Sequence, residues 1–183
     1  MAQPSQLHRF RISLSDIARS VYEELDFRVA QHPSESTDFL ITRVLAYALN
    51  FENDLKFSAE GLHTPEEPCL RIPDSFGGDR LWIEIGNPSP KKLHKAAKNS
   101  KAVKVYTYKN PELLLQDLRK ENVHRQEDIE IFSLPSAFLE KLASSLARDT
   151  RWSVTYNDGT LMVSTEDGTF DCEIDQHKAI VPG

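Results

Sequence analysis

Residues 79–100 contain an apolar strand followed closely by a lysine-rich helix, and together they predict a strand–helix unit at the centre of an α/β fold. The strand is the segment "RLWIEIG" at 80–86. The helix is predicted by "SPKKLHKAAKNS" at 89–100, where Ser89 is suited to cap the first turn and Pro90 to occupy its first position. Its apolar residues are spaced to form one inward-facing stripe: Leu93, Ala96 and Ala97.

Strand and helix patterns alternate through the middle of the chain, whereas strands predominate at both ends. Alternating apolar residues predict strands at 9–15 and 21–31, paired as a hairpin around "DIAR". A helix is predicted over 32–51, with Ser34 or Ser36 as its cap. The other predicted strands cover 55–59, 69–72, 102–108 and 129–135, and the other predicted helices cover 110–122 and 136–148. Further strands from 151 onward meet at Asp-Gly turns, so we expect a mixed sheet flanked by helices and edged by antiparallel hairpins.

Length, charge and composition narrow the classes of function. A chain of 183 residues predicts a single domain, and the absence of a long apolar run or an apolar leader favours a cytoplasmic protein with no membrane association. The net charge of -6 disfavours a general nucleic-acid coat, so a nucleic-acid role requires a local basic patch or a metal ion. Cys69 and Cys172 have no metal-ligand or redox spacing and are interpreted as two unrelated thiols.

Glu84 is the unusual residue of the central strand. Side chains alternate between the faces of a strand, so Glu84 shares one face with Trp82. If the strand emerges at a sheet edge, the carboxylate is simply hydrated. If the strand is central, the carboxylate requires a cation, a metal ion or backbone donors, because burial of an unpaired charge is unfavourable.

The neighbourhood of Glu84 resembles the PD-(D/E)xK nuclease core. In that core, acids on two adjacent strands hold a magnesium ion, and a lysine two residues after the second acid steadies the attacking water. Here the acids would be Glu67 and Glu84, but the motif reads Glu84-Ile85-Gly86 and lacks its lysine. We expect Lys92 to supply the missing cation from the following helix, with Lys91 and Lys95 as alternatives, or else all three to form the solvated face of that helix.

The whole chain resembles the YaeQ family. The motifs that carry this resemblance are Asp16 with Arg19, "HPSE" at 32–35, Arg43 with "LAY" at 45–47, "GL" at 61–62, "EEP" at 66–68 and "WIEIGNP" at 82–88. The resemblance implies a small bacterial cytoplasmic protein with a restriction-endonuclease-like three-layer α/β/α fold. It also implies an association with transcript elongation but no established activity. The implied single domain spans 1–183, with a nuclease-like core at about 34–135 and hairpins at 7–31 and 151–176.

The resemblance adds two residues to the predicted site. Glu35 would join the metal ligands, or alternatively would stabilise the start of the first helix. Arg43 lies about two helical turns further along and would contact a site acid or phosphate, or form an ion pair with Glu67 or Glu84. His32 is interpreted as a turn residue, and Trp82 as a core residue.

Two functions are compatible with these residues. In the first, the protein is a magnesium-dependent phosphodiesterase acting on nucleic acid: Glu67, Glu84 and Glu35 hold the metal, while Lys92 or Arg43 stabilises charge on the phosphate. In the second, the fold is a non-catalytic module that binds nucleic acid or a protein partner, and Glu84, Arg43 and a lysine form a buried ion network. The sequence leaves the oligomeric state open.

Overall fold

The computed structural model describes residues 3–58 and 66–179, which form a mixed α/β protein with two sheets. The motif at 61–62 and the end of the strand predicted at 55–59 lie outside the described residues. The described part of the chain divides into two compact units. The first holds residues up to Leu49 together with Leu134–Ile174, and the second holds Asn50–Ser133 together with residues from Asp175 onward.

The first unit is built on a five-stranded sheet in the order β10-β9-β8-β1-β2. Strand β1 pairs antiparallel with β2 and parallel with β8, and the remaining pairs are antiparallel. Helix α1 contacts β1 and α4, and α4 also contacts β10. The elements are β1 (Gln6–Asp16), β2 (Val21–Gln31), α1 (Thr37–Leu49), α4 (Ser136–Ala143), β8 (Asp149–Asn157), β9 (Thr160–Thr165) and β10 (Gly168–Glu173).

The second unit is built on a six-stranded sheet in the order β11-β7-β6-β5-β4-β3. Strands β5, β6 and β7 are parallel and are linked by α2 and α3, whereas β3, β4 and β11 pair antiparallel with their neighbours. The elements are β3 (Lys56–Phe57), β4 (Leu70–Pro73), β5 (Asp79–Ile85), α2 (Pro90–Asn99), β6 (Ser100–Thr107), α3 (Pro111–Lys120), β7 (Glu130–Ser133) and β11 (Asp175–Lys178).

The core of the second unit lies between α2, α3 and one face of the parallel strands. Trp82 of β5 packs there with Leu93 of α2 and Leu114 of α3, together with Val105 of β6 and Ile131 of β7. The prediction of Trp82 as a core residue is therefore confirmed. Because Trp82 and Glu84 share a strand face, Glu84 also points toward the helix layer.

The expectation of one sheet edged by two hairpins is wrong. The N-terminal hairpin does not edge the sheet that contains β5; it pairs with the C-terminal strands, with Arg9 opposite Asp149 in a parallel register. This pairing joins residues about 140 positions apart, and no local pattern specifies it. None of the described helices has the length and apolar character needed to cross a membrane.

Candidate functional site: an acid–lysine pair under a basic helix

Glu84 lies in the interior of the six-stranded sheet. Strand β5 is hydrogen-bonded to β4 on one side and to β6 on the other. The Glu84 residue is only 2% exposed. The alternative of a hydrated carboxylate at a sheet edge is therefore wrong, and the carboxylate must be stabilised by neighbouring groups.

Three side chains supply that stabilisation. The indole Nε1–H of Trp82 donates to Glu84 Oε1 at 2.8 Å. The ammonium of Lys92 lies 3.1 Å from Oε2, and the Cys69 thiol donates to the same oxygen at 3.6 Å. Both carboxylate oxygens are thus engaged by this chain's own donors.

The backbone at Gly86 explains why the cation comes from the helix. Gly86 directly follows β5 and has a φ of +84°, in the left-handed region that favours glycine over a lysine. Its N–H donates to Tyr106 O at 2.8 Å. Ser89 then caps α2, because its Oγ accepts from the Lys92 N–H at 3.2 Å. This short connection places Lys92 in the first turn of α2, within reach of the carboxylate. Of the three lysines considered from the sequence, Lys92 is the one that pairs with Glu84.

Burial raises the pKa of the Glu84 carboxyl above its ordinary value. The Lys92 charge and the hydrogen bonds from Trp82, Lys92 and Cys69 act in the opposite direction. Since the effect of burial is larger, the pair is held in a site where the charged carboxylate is disfavoured by loss of hydration.

Glu67, the other predicted acid of the nuclease motif, and its neighbour Glu66 have separate partners. Glu67 accepts a hydrogen bond from Ser58 Oγ at 2.6 Å, and Glu66 forms an ion pair with Lys95. Within either described unit, no group of three or more histidine, cysteine or acidic side chains is placed to hold a metal ion.

The donor set around Glu84 does not fit a magnesium ion. Magnesium requires near-octahedral oxygen coordination, normally from one or two carboxylates and several waters. An ion at Oε2 would face the Lys92 ammonium, and an ion at Oε1 would have to displace the Trp82 hydrogen bond.

Glu35 and Arg43 belong to the first unit and pair with each other there. The Arg43 guanidinium lies 2.9 Å from Glu35 Oε1, and both side chains are buried. The contact is close enough for an ion pair, but its geometry at Glu35 Oε1 is not that of a hydrogen bond. Arg43 also donates to Ala30 O at 2.9 Å. The sequence predicted that Arg43 would contact a site acid or phosphate, or would pair with Glu67 or Glu84. The acid that it pairs with is Glu35, one of the predicted site acids.

The turn before α1 accounts for the position of Glu35. The Glu35 N–H donates to His32 O at 2.9 Å, and Glu35 Oε2 accepts from the His32 N–H. Helix α1 is capped by Ser36, whose Oγ accepts from the Phe39 N–H at 3.1 Å. His32 is therefore a turn residue, as predicted. Burial raises the pKa of the Glu35 carboxyl, against the opposing charge of Arg43.

The outer face of α2 forms a basic surface, which we call the lysine face and define as Lys91, Lys92, Lys95 and Lys98. A surface depression of about 490 Å³ runs along it and is also lined by Glu66, Ser89, His94 and Asn99. Lys91 and Lys98 are exposed, and no carboxylate of the described residues forms an ion pair with either. The protein, although acidic overall, thus presents on one helix two exposed lysines that form no ion pair with a described carboxylate.

Comparison with known proteins places the chain in a family. A family model described as YaeQ protein matches residues 1–174. The chain belongs to the YaeQ family. The YaeQ protein of Escherichia coli K12, described as uncharacterized, is 22% identical over 175 residues, covering 95% of this chain and 96% of the relative. The Salmonella typhi protein of the same description is 23% identical over 165 residues, covering 90% and 91%.

Two solved YaeQ structures share this fold. The crystal structure of YaeQ from Pseudomonas syringae superposes with a TM-score of 0.86 at 28% identity, covering 96% of this chain and 97% of that one. The structure of YaeQ from Xanthomonas axonopodis pv. citri gives a TM-score of 0.87 at 27% identity, covering 97% and 99%. The mixed α/β architecture with two sheets is therefore a YaeQ architecture.

Proposed function

We propose that this YaeQ family member binds nucleic acid through the lysine face of α2, on a variant of the PD-(D/E)xK fold whose motif acid has become structural. The observation that supports the proposal is that the lysines of α2 differ in their contacts. Lys92 is committed to the buried Glu84, while Lys91 and Lys98 on the same helix remain exposed. Exposed lysines in a row neutralise phosphates by displacing condensed counterions.

The length of the lysine face matches a short run of phosphates. From residue 91 to residue 98 an α-helix rises about 10 Å. Each strand of a duplex carries one phosphate per roughly 3.4 Å of helix axis, so this face spans about three phosphates of a duplex strand. The surface charge is local in a chain with a net charge of -6. We therefore expect binding of modest affinity that weakens steeply with salt.

The state of Glu84 favours binding without catalysis. A metal-dependent phosphodiesterase needs a carboxylate free to coordinate magnesium. In this chain one Glu84 oxygen accepts from Trp82 and the other faces Lys92. The pair keeps the acid satisfied and leaves the exposed lysines to interact with phosphate.

The test is fluorescence anisotropy with labelled single-stranded DNA, single-stranded RNA and duplex DNA, all in EDTA. The double variant Lys91→Ser/Lys98→Ser should weaken binding to every strand and reduce the slope of log K against log salt by about 1.4 for a single strand. The control variant Lys56→Ser/Lys120→Ser removes two exposed lysines elsewhere in the same unit and changes the net charge equally. Equal losses in the two double variants, or no binding by the wild type, would contradict the proposal.

A second candidate function is magnesium-dependent phosphodiester cleavage. The observation that favours it is the 3.1 Å approach of Lys92 to Glu84, which restores the acid–lysine pair that the sequence motif has lost. This function requires Lys92 to release Oε2 when a metal binds.

Calorimetric titration of magnesium and manganese distinguishes the two candidates. Binding by the wild type that disappears in Glu84→Ala, accompanied by metal-dependent cleavage, would establish the second function. The first function predicts no heat of binding that depends on Glu84. Glu67→Ala serves as a further variant, because Glu67, which precedes β4, is the other acid that the nuclease resemblance implies as a metal ligand.

A further inference from the structure

Phe76 is an apolar side chain held almost entirely in solvent. It lies in the turn between β4 and β5 and is 94% exposed, whereas the other exposed large hydrophobic residues of the described chain are 42–62% exposed. Single exposed apolar residues are common on protein surfaces. Phe76 is more exposed than any of these other residues, so almost its whole ring is open to a ligand.

The turn that carries Phe76 is held by several hydrogen bonds. The Asp74 N–H donates to Gly78 O at 3.0 Å, and the Gly77 N–H donates to Asp74 O at 3.2 Å. The Lys101 ammonium lies 2.9 Å from Asp74 Oδ2. The hydrogen bond from Lys101, followed by the Lys101 charge and the N–H groups of Phe76 and Ser75, holds the pKa of Asp74 below its ordinary value.

This turn packs against the end of α2. A Cβ placed on Gly78 would come within 2.6 Å of Asn99 O, so the backbone of the turn lies directly against the last turn of the helix. Lys98 precedes Asn99, and Lys101, which anchors Asp74, follows it by two residues. The turn that carries Phe76 therefore lies at the C-terminal end of α2, next in the chain to Lys98.

We infer that Phe76 stacks on an unpaired base of a single-stranded nucleic acid whose phosphates lie along the lysine face. The inference rests on the proposed function and adds the class of nucleic acid. Single-strand binding proteins combine a positively charged track for the backbone with aromatic side chains that stack on bases. In a duplex the base faces are already stacked on each other, so an isolated ring at the end of a basic track matches a single strand.

The variants that test this inference are Phe76→Ala, Phe76→Trp and the control Leu113→Ala, which removes a half-exposed apolar side chain from α3. Because Phe76 is exposed, we expect all three to fold with an unchanged melting temperature. The probes are a single-stranded oligonucleotide, the same strand made of abasic sites, and a duplex of equal length.

Phe76→Ala should weaken binding to the ordinary single strand by roughly 5- to 100-fold, as stacking on one base predicts. Binding to the abasic strand should not change, and neither should the slope of affinity against salt, because the phosphate contacts remain. Phe76→Trp should keep or strengthen the affinity, and Leu113→Ala should match the wild type.

These experiments distinguish failure of the stacking inference from failure of the proposed function. If the wild type binds single strands in a manner that depends on Lys91 and Lys98, but Phe76→Ala binds equally well, the stacking inference is overturned while the proposed function stands. An equal loss of affinity for abasic and ordinary strands, or for the duplex, would also overturn it. If the wild type binds no nucleic acid, both fail.

Discussion

The two partners of the Glu84–Lys92 ion pair differ in how far they are exposed to solvent. The carboxylate is 2% exposed, whereas the Lys92 side chain is 22% exposed and can extend toward water. Removing the lysine therefore leaves a buried acid without its cation, while removing the acid leaves a lysine that can be hydrated. The two substitutions should have unequal effects on stability.

Lys92→Met should lower the free energy of unfolding by about 2–3 kcal/mol at neutral pH, as expected for a buried charge that loses its partner. The measurement is chemical denaturation followed by circular dichroism. Lys95→Met is the matched control on the same helix, because its partner Glu66 is 71% exposed and an exposed pair contributes less than about 1 kcal/mol. Equal effects of the two substitutions would show that the buried Glu84–Lys92 pair contributes no more than an exposed one.

The raised pKa of Glu84 predicts the direction in which the free energy of unfolding changes with pH. In the folded protein the carboxyl holds its proton to a higher pH than in the unfolded chain, where its value is about 4.5. Between those two pKa values the folded state binds more protons, so the free energy of unfolding falls as the pH rises. The contribution of this group is therefore greatest below about pH 4.5 and is lost as the pH rises through the folded pKa.

Glu84→Gln isolates that contribution, because the amide cannot ionise and other titrating groups remain. We expect the wild type to lose stability relative to Glu84→Gln as the pH is raised from about 4.5 toward neutrality. Denaturation curves of both proteins across this range provide the measurement. A wild type that instead gains stability relative to the variant would mean that Lys92 outweighs the effect of burial.

The hairpin between β4 and β5 allows a paired test of its docking against α2. Gly77 has a φ of +99° with open space around it, whereas Gly78 has a φ of +71° and lies against Asn99 O. Gly77→Ala should therefore add only backbone strain, about 1 kcal/mol. Gly78→Ala adds a backbone collision to that strain and should destabilise the protein more.

Thermal denaturation of the two variants measures this difference. If the turn positions the aromatic ring beside α2, Gly78→Ala also displaces Phe76 and weakens binding to single strands. Equal melting temperatures for Gly77→Ala and Gly78→Ala would show that the turn is not held against the helix.

Individual elements were largely predictable because their signals are local. Ser89 caps α2 as predicted, Asn110 caps α3 at the start of the helix predicted over 110–122, and the alternation over 21–31 correctly predicted a strand. The boundaries were less accurate: α1 begins at Thr37 rather than at 32, and α4 ends at Ala143. The turn at 32–35 is fixed by hydrogen bonds between His32 and Glu35, which a helical pattern does not reveal.

The arrangement of the whole molecule was not predictable in the same way. The pairing of β1 with β8 and of β7 with β11 joins segments that are distant in sequence. Such pairings depend on tertiary packing between distant segments, and the alternation within a strand does not specify which partner it takes. The structure consequently has two sheets where one was expected.

The candidate site was predictable in part. Because position 86 lacks the motif lysine, the sequence predicted a cation from the next helix, and Lys92 of that helix does contact Glu84. Arg43 and Glu35 are a different case, because their pairing depends on a turn geometry that the sequence does not specify. The contact of the Cys69 thiol with Glu84 and the exposure of Phe76 had no sequence signal beyond the position of Cys69 in a predicted strand and of Phe76 between two of them.

For the molecule as a whole, the decisive question is whether the lysine face binds nucleic acid without a metal ion. Oligonucleotide affinity in EDTA and in excess magnesium, at constant ionic strength, answers it. We predict equal affinity in both conditions for the wild type and for Glu84→Gln, and no cleavage of the strand. Of these proteins and Lys91→Ser/Lys98→Ser, the double lysine variant alone should bind more weakly. Binding or cleavage that requires magnesium and disappears in Glu84→Ala would contradict metal-independent binding and establish the metal-dependent function in its place.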